Sequence, residues 1–246
     1  MEIEEYTRVA AAEDEHWWYR STRALMVALL EPWLGSGGGG RFLDAGCGPG
    51  GNGAWLAEHG HVVGIDVATD ALAFVRARHP ETAPVLATLE ALPLADASVD
   101  AVACVTVLTA VPDDASAVKE LARVVKPGGG VLLIEPAFNA LRRGHDATVH
   151  SLRRYRLRDL TGLAGAAGLT VRHSSYAYSF LVPPAAALAG AWRLRPRPVA
   201  DAGSDVERSA LGRVFGRLAG AERRLVLRHR VPFGTSAVVL AVRPSG

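Results

Sequence analysis

The sequence is short of lysine, cysteine and long apolar runs, and each shortage removes a class of function. Only Lys119 and Lys126 are lysines, and 27 basic against 25 acidic residues leave a net charge of +2. Because the arginines are spread along the chain rather than clustered, no nucleic-acid partner is expected. The two cysteines, Cys47 and Cys104, form no C-x-x-C pair, which argues against a disulfide framework or a zinc site and fits a reducing compartment. The first residues, Met1-Glu2-Ile3-Glu4-Glu5, are acidic and no apolar region follows them, so no secretory signal is expected and the location implied is cytoplasmic. The longest apolar stretch, Tyr178 to Trp192, is broken by Pro183-Pro184 and falls short of the roughly 18 residues a spanning helix needs. A membrane span is therefore not expected, although peripheral contact with a membrane stays open.

What is present is the composition of a globular protein, 246 residues with 49% apolar, long enough for one large α/β domain. The pattern predicts a helix from Glu13 to Leu34, with Trp17, Trp18, Leu25, Val27, Leu29 and Leu30 as its apolar face, and then a flexible hinge at Gly35 to Gly40. Strand-like runs follow at Phe42-Leu43, His61 to Ile65, Val85 to Ala87, Val99 to Val105 and Val131 to Ile134. They alternate with helices ending at Glu58, at Thr69 to Arg78 and at about Asp113 to Val124, where Asp113 is read as an N-cap. A further helix at Leu157 to Ala167 and strands at Thr170 to Tyr178 and Gly234 to Val242 complete the pattern. Such alternation predicts a Rossmann-like, seven-stranded, mostly parallel sheet with helices on both faces. The organisation expected is an N-terminal helical lid and hinge over 1–40, a catalytic core over 41–178 and 231–246, and a helical insertion over 179–230. The insertion holds a linker from Arg195 to Glu207, and its apolar faces must dock on the core, on a second copy as a homodimer contact, or on a membrane surface.

The chemistry lies in Arg41-Phe42-Leu43-Asp44-Ala45-Gly46-Cys47-Gly48-Pro49-Gly50, a strand that runs into a glycine turn opening a helix. Asp66 closes the next strand, where a carboxylate accepts both hydroxyls of a ribose. Gly46-x-Gly48-x-x-Gly51 also satisfies the dinucleotide pattern. Asp44 separates the two readings: beside the turn it would repel a pyrophosphate but attract the ammonium of a methionine moiety.

With those residues the chain resembles the class I S-adenosylmethionine-dependent methyltransferases, in the small-molecule branch that includes ubiquinone and menaquinone methylases. The resemblance covers roughly residues 40 to 136. It extends through Gly64-Ile65-Asp66, Glu90-Ala91-Leu92-Pro93-Leu94 with Asp96 and Asp100, and Leu121-Ala122-Arg123-Val124-Val125-Lys126-Pro127-Gly128-Gly129. It implies that Gly46, Cys47 and Gly48 meet the methionine portion of the cofactor, Asp66 the ribose, and Val67 and Leu89 the adenine, with Val105 flanking the cofactor at the fourth strand. Thr88 stands where relatives carry an acid near the adenine amino group, and Thr109-Ala110 stands where they often carry Glu-His. The flanks, His16-Trp17-Trp18-Tyr19-Arg20 and His150-Ser151-Leu152-Arg153-Arg154-Tyr155, resemble a narrower group associated with specialised-metabolite or glycan biosynthesis.

Tyr19 and Arg20 are candidates for the cofactor carboxylate or the acceptor. His150 and Tyr155 are the candidate catalytic groups, His150 as general base because an imidazole with an ordinary pKa near 6.5 takes a proton from a phenol or hydroxyl. Arg153, Arg154, Arg156 and Arg158 form either a cationic rim or a solvated helix start. Two rival readings are a nicotinamide-dependent reductase, which lacks a Tyr-x-x-x-Lys pair here, and a catalytically inactive cofactor-binding or membrane-peripheral module. A nucleic-acid methyltransferase is disfavoured, since Cys104 to Asp113 holds no Asn-Pro-Pro-aromatic clamp for a flipped base.

Overall fold

A computed structural model describes residues 3–35, 39–194 and 211–245 of the chain. The Arg195 to Glu207 linker and the middle of the glycine hinge lie outside the described residues. Seven strands form one sheet in the order β3-β2-β1-β4-β5-β7-β6. They are β1 (Gly40–Ala45), β2 (Gly60–Asp66), β3 (Thr82–Leu86), β4 (Val99–Val105), β5 (Val125–Pro136), β6 (Thr170–Ala177) and β7 (Ser236–Val242). The first five are parallel, whereas β7 lies antiparallel between β5 and β6, with Leu132 opposite Leu240 and Ser175 opposite Val238.

The central strands read as unbroken apolar runs because both faces of the sheet are covered. Along β4 the side chains alternate between two layers: Ala101, Ala103 and Val105 join one core, Val102 and Cys104 the other. The first core is closed by α2 (Trp17–Leu30), α3 (Gly51–Ala57) and α9 (Gly212–Arg228), the second by α5 (Asp114–Val124) and α7 (Leu157–Ala166). Alongside these stand α1 (Ile3–Ala12), α4 (Thr69–Arg78), the short α6 (Gly144–Thr148) and α8 (Val182–Leu194). Asp113 caps α5 as its sequence position predicts, accepting the Ser116 N–H at 3.0 Å. At α7 the Arg156 side chain makes no cap, and the Asp159 carboxylate accepts the Arg156 N–H at 2.8 Å instead.

The N-terminus departs from the expected single helix. The chain forms α1, turns through Glu13-Asp14-Glu15, and starts again at Trp17, where the His16 ring nitrogen Nδ1 accepts the Trp18 N–H at 3.4 Å. The break has an electrostatic cause. Glu13 and Asp14 leave the helical path to pair with Arg23 and Arg78, and this folds α1 back against α4. The insertion begins just after β6 and returns along α2 as α9, where Trp17 and Phe215 meet with ring centroids 5.3 Å apart.

Parallel topology brings the ends of β1, β2, β4 and β5 to one edge, and β6 also ends there because β7 reverses direction. Three bulky residues just past these ends adopt left-handed backbone angles: Thr106 at φ +59°, Phe138 at +56° and Tyr178 at +60°. Strain of this kind, held by surrounding structure, concentrates where a fold builds a ligand site.

Candidate functional site

The glycine turn is closed by its own backbone. The Gly46 and Cys47 N–H groups both donate to the Ile65 carbonyl, at 2.7 and 2.9 Å, so β1 is tied to the end of β2 before any ligand arrives. Gly46, at φ +74°, has no room for a side chain, because a Cβ there would strike Val107. Gly48 donates its N–H to Asp66 Oδ2 and Ala68 donates to Oδ1, each at 2.9 Å. These two bonds fix the plane of the Asp66 carboxylate at the mouth of the turn. Gly46, Cys47 and Gly48 thus shape a concave backbone surface, and Asp66 is the oriented acceptor beside it.

Asp44 sits beneath this turn at 1% exposure, and neither carboxylate oxygen has a hydrogen-bond partner among the described residues. Burial pushes its carboxyl up to about 7, even though the nearby Gly53 backbone N–H and the Arg23 guanidinium favour the ionised form. A buried carboxylate with open lone pairs at the start of a helix is an unsatisfied acceptor. A small cationic donor would complete it. The hydroxyl of Thr82, close to the same spot beside Gly53, is also buried and unpartnered.

An N-terminal helical lid is expected from the sequence, but the residues that fasten the cover over the turn were not foreseen. Arg23, on the inner side of α2 and 2% exposed, donates from Nη2 to Glu13 Oε2 at 2.8 Å and from Nη1 to the Glu13 carbonyl at 2.6 Å. Glu13 in turn accepts Arg78 Nη1 at 2.7 Å and the Gly51 N–H at 3.2 Å, the first amide of α3. A Cβ on Gly51 would collide with the Arg23 and Glu13 side chains, so this glycine is required by close approach of the clamp. From α1, the Tyr6 hydroxyl reaches to 3.5 Å from Asp66 Oδ1, and burial together with that carboxylate raises its pKa. An arginine and a glutamate inside the apolar pattern of the first forty residues were the available signal for the clamp. Nothing in the sequence singled out Tyr6.

The other expected cofactor residues are distributed unevenly. Val105 and Leu89 are buried, while Val67 is 65% exposed and Thr88 is also open to solvent, so the side expected to receive adenine is an open ledge. Cys47 and Cys104 are buried free thiols whose pKa values are raised by burial, which makes them inert small side chains. Tyr19 packs edge-on against Trp18 at 5.0 Å and lies under the Arg23 guanidinium at 6.0 Å. Arg20 is exposed and lines a surface cleft of about 480 Å³ between α2, α3 and α9, while Arg23 lies on the inner side of the same helix.

The strand ends on the far side are braced by a second buried acid. Glu135, fully buried at the end of β5, accepts the N–H groups of Val107, Leu108 and Thr109 at 3.0, 2.9 and 3.2 Å. Burial raises its carboxyl to about 8 against the pull of those amides. It holds the kinked turn after β4 where Thr106 is strained. Thr109, at the position of the absent Glu-His pair, bonds to Ser151 and to the Arg153 carbonyl, and so ties that turn to the 142–155 loop. Tyr155 is buried in this joint: its hydroxyl donates to Asp114 Oδ2 at 2.7 Å and lies 3.0 Å from the Leu108 carbonyl, a bracing position rather than an open one. Arg154 forks onto Asp146 at 2.6 and 3.0 Å and Arg153 pairs with Asp114 at 2.7 Å, so these two arginines form structural pairs and not a free cationic rim. His150 stands exposed on the same loop at φ +53°.

Asp44 and Glu135 keep their protons to about 7 and about 8 in the folded protein, whereas free carboxyls lose theirs near 4. Between those limits the folded state binds more protons than the unfolded chain, so stability falls as pH rises. The carboxyls lowered by partners, Asp100, Glu120 and Asp146 among them, act below this window, since their stabilisation is complete above the ordinary carboxyl range. The melting temperature of the ligand-free protein is expected to decline from pH 5 to pH 8.5, with the lower part of the decline flattened in Asp44→Asn. A melting temperature constant or rising over that range would contradict the assignment.

A family described as "Methyltransferase domain" matches residues 43–133. A probable S-adenosylmethionine-dependent methyltransferase of Mycolicibacterium smegmatis is 32% identical over 161 residues, which is 64% of this chain and 61% of that protein. The ubiquinone biosynthesis O-methyltransferase of Alkalilimnicola ehrlichii is 43% identical over 105 residues, 40% of this chain and 42% of that one. The chain thus spans about three-fifths of the first relative's length and less of the second's. Among solved structures, the [4+2]-cyclase SpnF shares the fold with a TM-score of 0.62 at 21% identity, over 93% of this chain and 84% of that one. The matched segment runs from β1 into β5 and contains Asp44, the glycine turn and Asp66, so it is this part of the chain that is similar to a methyltransferase domain.

Proposed function

We propose that the chain transfers the methyl group of S-adenosyl-L-methionine to a small-molecule acceptor, in specialised-metabolite or glycan biosynthesis. The observation that carries this reading is the buried Asp44 carboxylate, left without a partner beside a glycine turn and below an oriented Asp66. The donor set fits the cofactor. Asp44 would take the methionine ammonium, and Asp66 the ribose hydroxyls. The Arg23 guanidinium, whose Nε is buried and unpartnered, would take the methionine carboxylate. Val67, Thr88 and Leu89 would border the adenine, and Val105 the reacting end. A pyrophosphate would meet the Asp44 charge instead, which disfavours the reductase reading.

S-adenosylmethionine supplies a methyl group already activated on a sulfonium, so the protein's task is alignment and exclusion of water. The residues that would do this are rigidly held. Glu135 fixes the turn after β4, and the Leu152 N–H donates to the Thr109 carbonyl at 2.8 Å, fastening the 142–155 loop to that turn. Trp17 and Phe180 form an aromatic wall with Tyr178, whose hydroxyl is 2.8 Å from Thr22 Oγ1. His150 is the proposed base where the acceptor is a phenol or an alcohol.

Calorimetry tests the binding half. Asp66→Ala should weaken S-adenosylmethionine or S-adenosylhomocysteine binding by about 1.5–3 kcal/mol, the scale of a hydrogen bond to a charged group. Asp44→Asn should also weaken binding, yet raise the melting temperature of the ligand-free protein by removing an unpaired buried charge. Unchanged affinity in both folded variants, or tight binding of a nicotinamide dinucleotide to the parent, would overturn the assignment.

Steady-state kinetics tests the catalytic half. With an acceptor that must lose a proton, His150→Ala should lower kcat by roughly 10²- to 10⁴-fold and leave cofactor affinity unchanged. Near-parental turnover by the folded variant across pH 6 to 9 would make His150 a loop residue.

A further inference from the structure

Helix α9 carries two apolar stripes, and its packing uses only one of them. At 100° per residue, Phe215, Ala219, Val226 and Leu227 point toward α2 and the sheet, together with the buried Glu222, which accepts the Ser179 N–H at 2.8 Å. About 80° round the helix from that face Leu211, at the helix start, and Val214, Leu218 and Leu225 form a second row, between 43% and 55% exposed. Beside that row runs another, Arg213, Arg217, Arg224 and Arg228, all exposed. None of these four arginines makes an ion pair with another described residue, and α9 has no acid except the buried Glu222. At 1.5 Å per residue the two rows extend for about 22 Å.

We propose that this outer face of α9 docks on an anionic lipid surface, the leucine row at the boundary between headgroups and acyl chains and the arginine row on the lipid phosphates. Charge decides between this occupant and the others. A second copy related by a two-fold axis would bring two arginine rows into one contact with no exposed carboxylate of α9 on either side, which is repulsive. A nucleic acid would use the arginines and leave the leucines in water. A negatively charged bilayer accommodates both rows, since arginine carries its charge to the headgroups while its stem lies on apolar surface. The cleft of about 480 Å³ between α2, α3 and α9 adds Arg20 and Arg223 to Arg213 beside Trp17 and Trp55, with Glu15 as its one acid. No helix among the described residues is long and apolar enough to cross a membrane, so the contact is peripheral.

Co-sedimentation of the intact chain with vesicles provides the test, and no methyl acceptor is needed. The chain should pellet with phosphatidylcholine vesicles containing one-third phosphatidylglycerol and stay in solution with phosphatidylcholine alone, and added salt should release it. Arg217→Gln/Arg224→Gln should lower the partition constant roughly thirtyfold, about fivefold for each cation at an anionic surface. Leu218→Ser/Leu225→Ser should weaken binding while keeping its salt dependence. All four positions are exposed, so both variants should melt with the parent and keep its cofactor affinity. Equal pelleting with neutral vesicles, no pelleting with anionic ones, or unchanged binding of the arginine variant would overturn the proposal. So would an oligomer, seen by light scattering, that the leucine variant dissociates, because the face would then belong to a second copy.

Discussion

A carboxylate removed from water without a partner is among the costlier things a fold can contain, and Asp44 is one. The rest of the site is arranged around it. It lies at the end of β1, where the parallel sheet leaves a crevice, with the Gly53 N–H of α3 nearby. The glycine turn above it bonds back to Ile65 and Asp66 rather than to Asp44, so the turn is rigid while the acid below stays unsatisfied. The site is therefore preorganised at a cost to the ligand-free state, the expected relation between stability and function in a binding centre.

The floor and the cover of this site are held by different forces. The floor is made of β1, β2 and β4, whose alternating side chains belong to two dry cores and tolerate little movement. The cover is made of α1 and the start of α2, fastened by the Glu13–Arg23–Arg78–Asp14 cluster. Within that cluster the Glu13–Arg23 pair is buried, so breaking it would strand a charge, whereas the Asp14 end is exposed and screened by salt. Tyr6 ties the cover to the same Asp66 oxygen that the backbone orients, so the carboxylate proposed to take the ribose also holds the N-terminal helix.

Much of this was legible in the sequence, for physical reasons. Strand and helix periods placed α4 and β4 with their observed ends, because apolar runs and turn residues there agree with the tertiary environment. Asp44 and Asp66 were legible because their chemistry depends on position relative to a glycine turn, which is local in sequence. The clamp was not, since Glu13, Arg23 and Gly51 meet only through long-range packing, and the acidic run that reads as the start of one helix in fact separates two. Arg23 was passed over for the same reason: a charge on the inner face of a helix looks misplaced until its buried partner is known. Glu135 escaped attention as a single acid ending an apolar strand, although its three amide partners make it the brace of the turn after β4.

Tyr155 and Glu222 show how buried polar groups connect the sheet edge to its surroundings. Tyr155 joins the 142–155 loop to α5 through Asp114, and Glu222 joins α9 to the residue after the strained Tyr178. The first bond joins a loop to a helix of the parallel core, and the second joins the end of β6 to the insertion. The left-handed backbone at Tyr178 is thus flanked by β6 on one side and by the α9 contact on the other, and that at Thr106 by β4 and the turn that Glu135 braces. Because α9 meets this edge only through its inner face, the outer face is free of any structural duty to the fold. Its leucines and arginines are the part of the helix that internal packing does not explain.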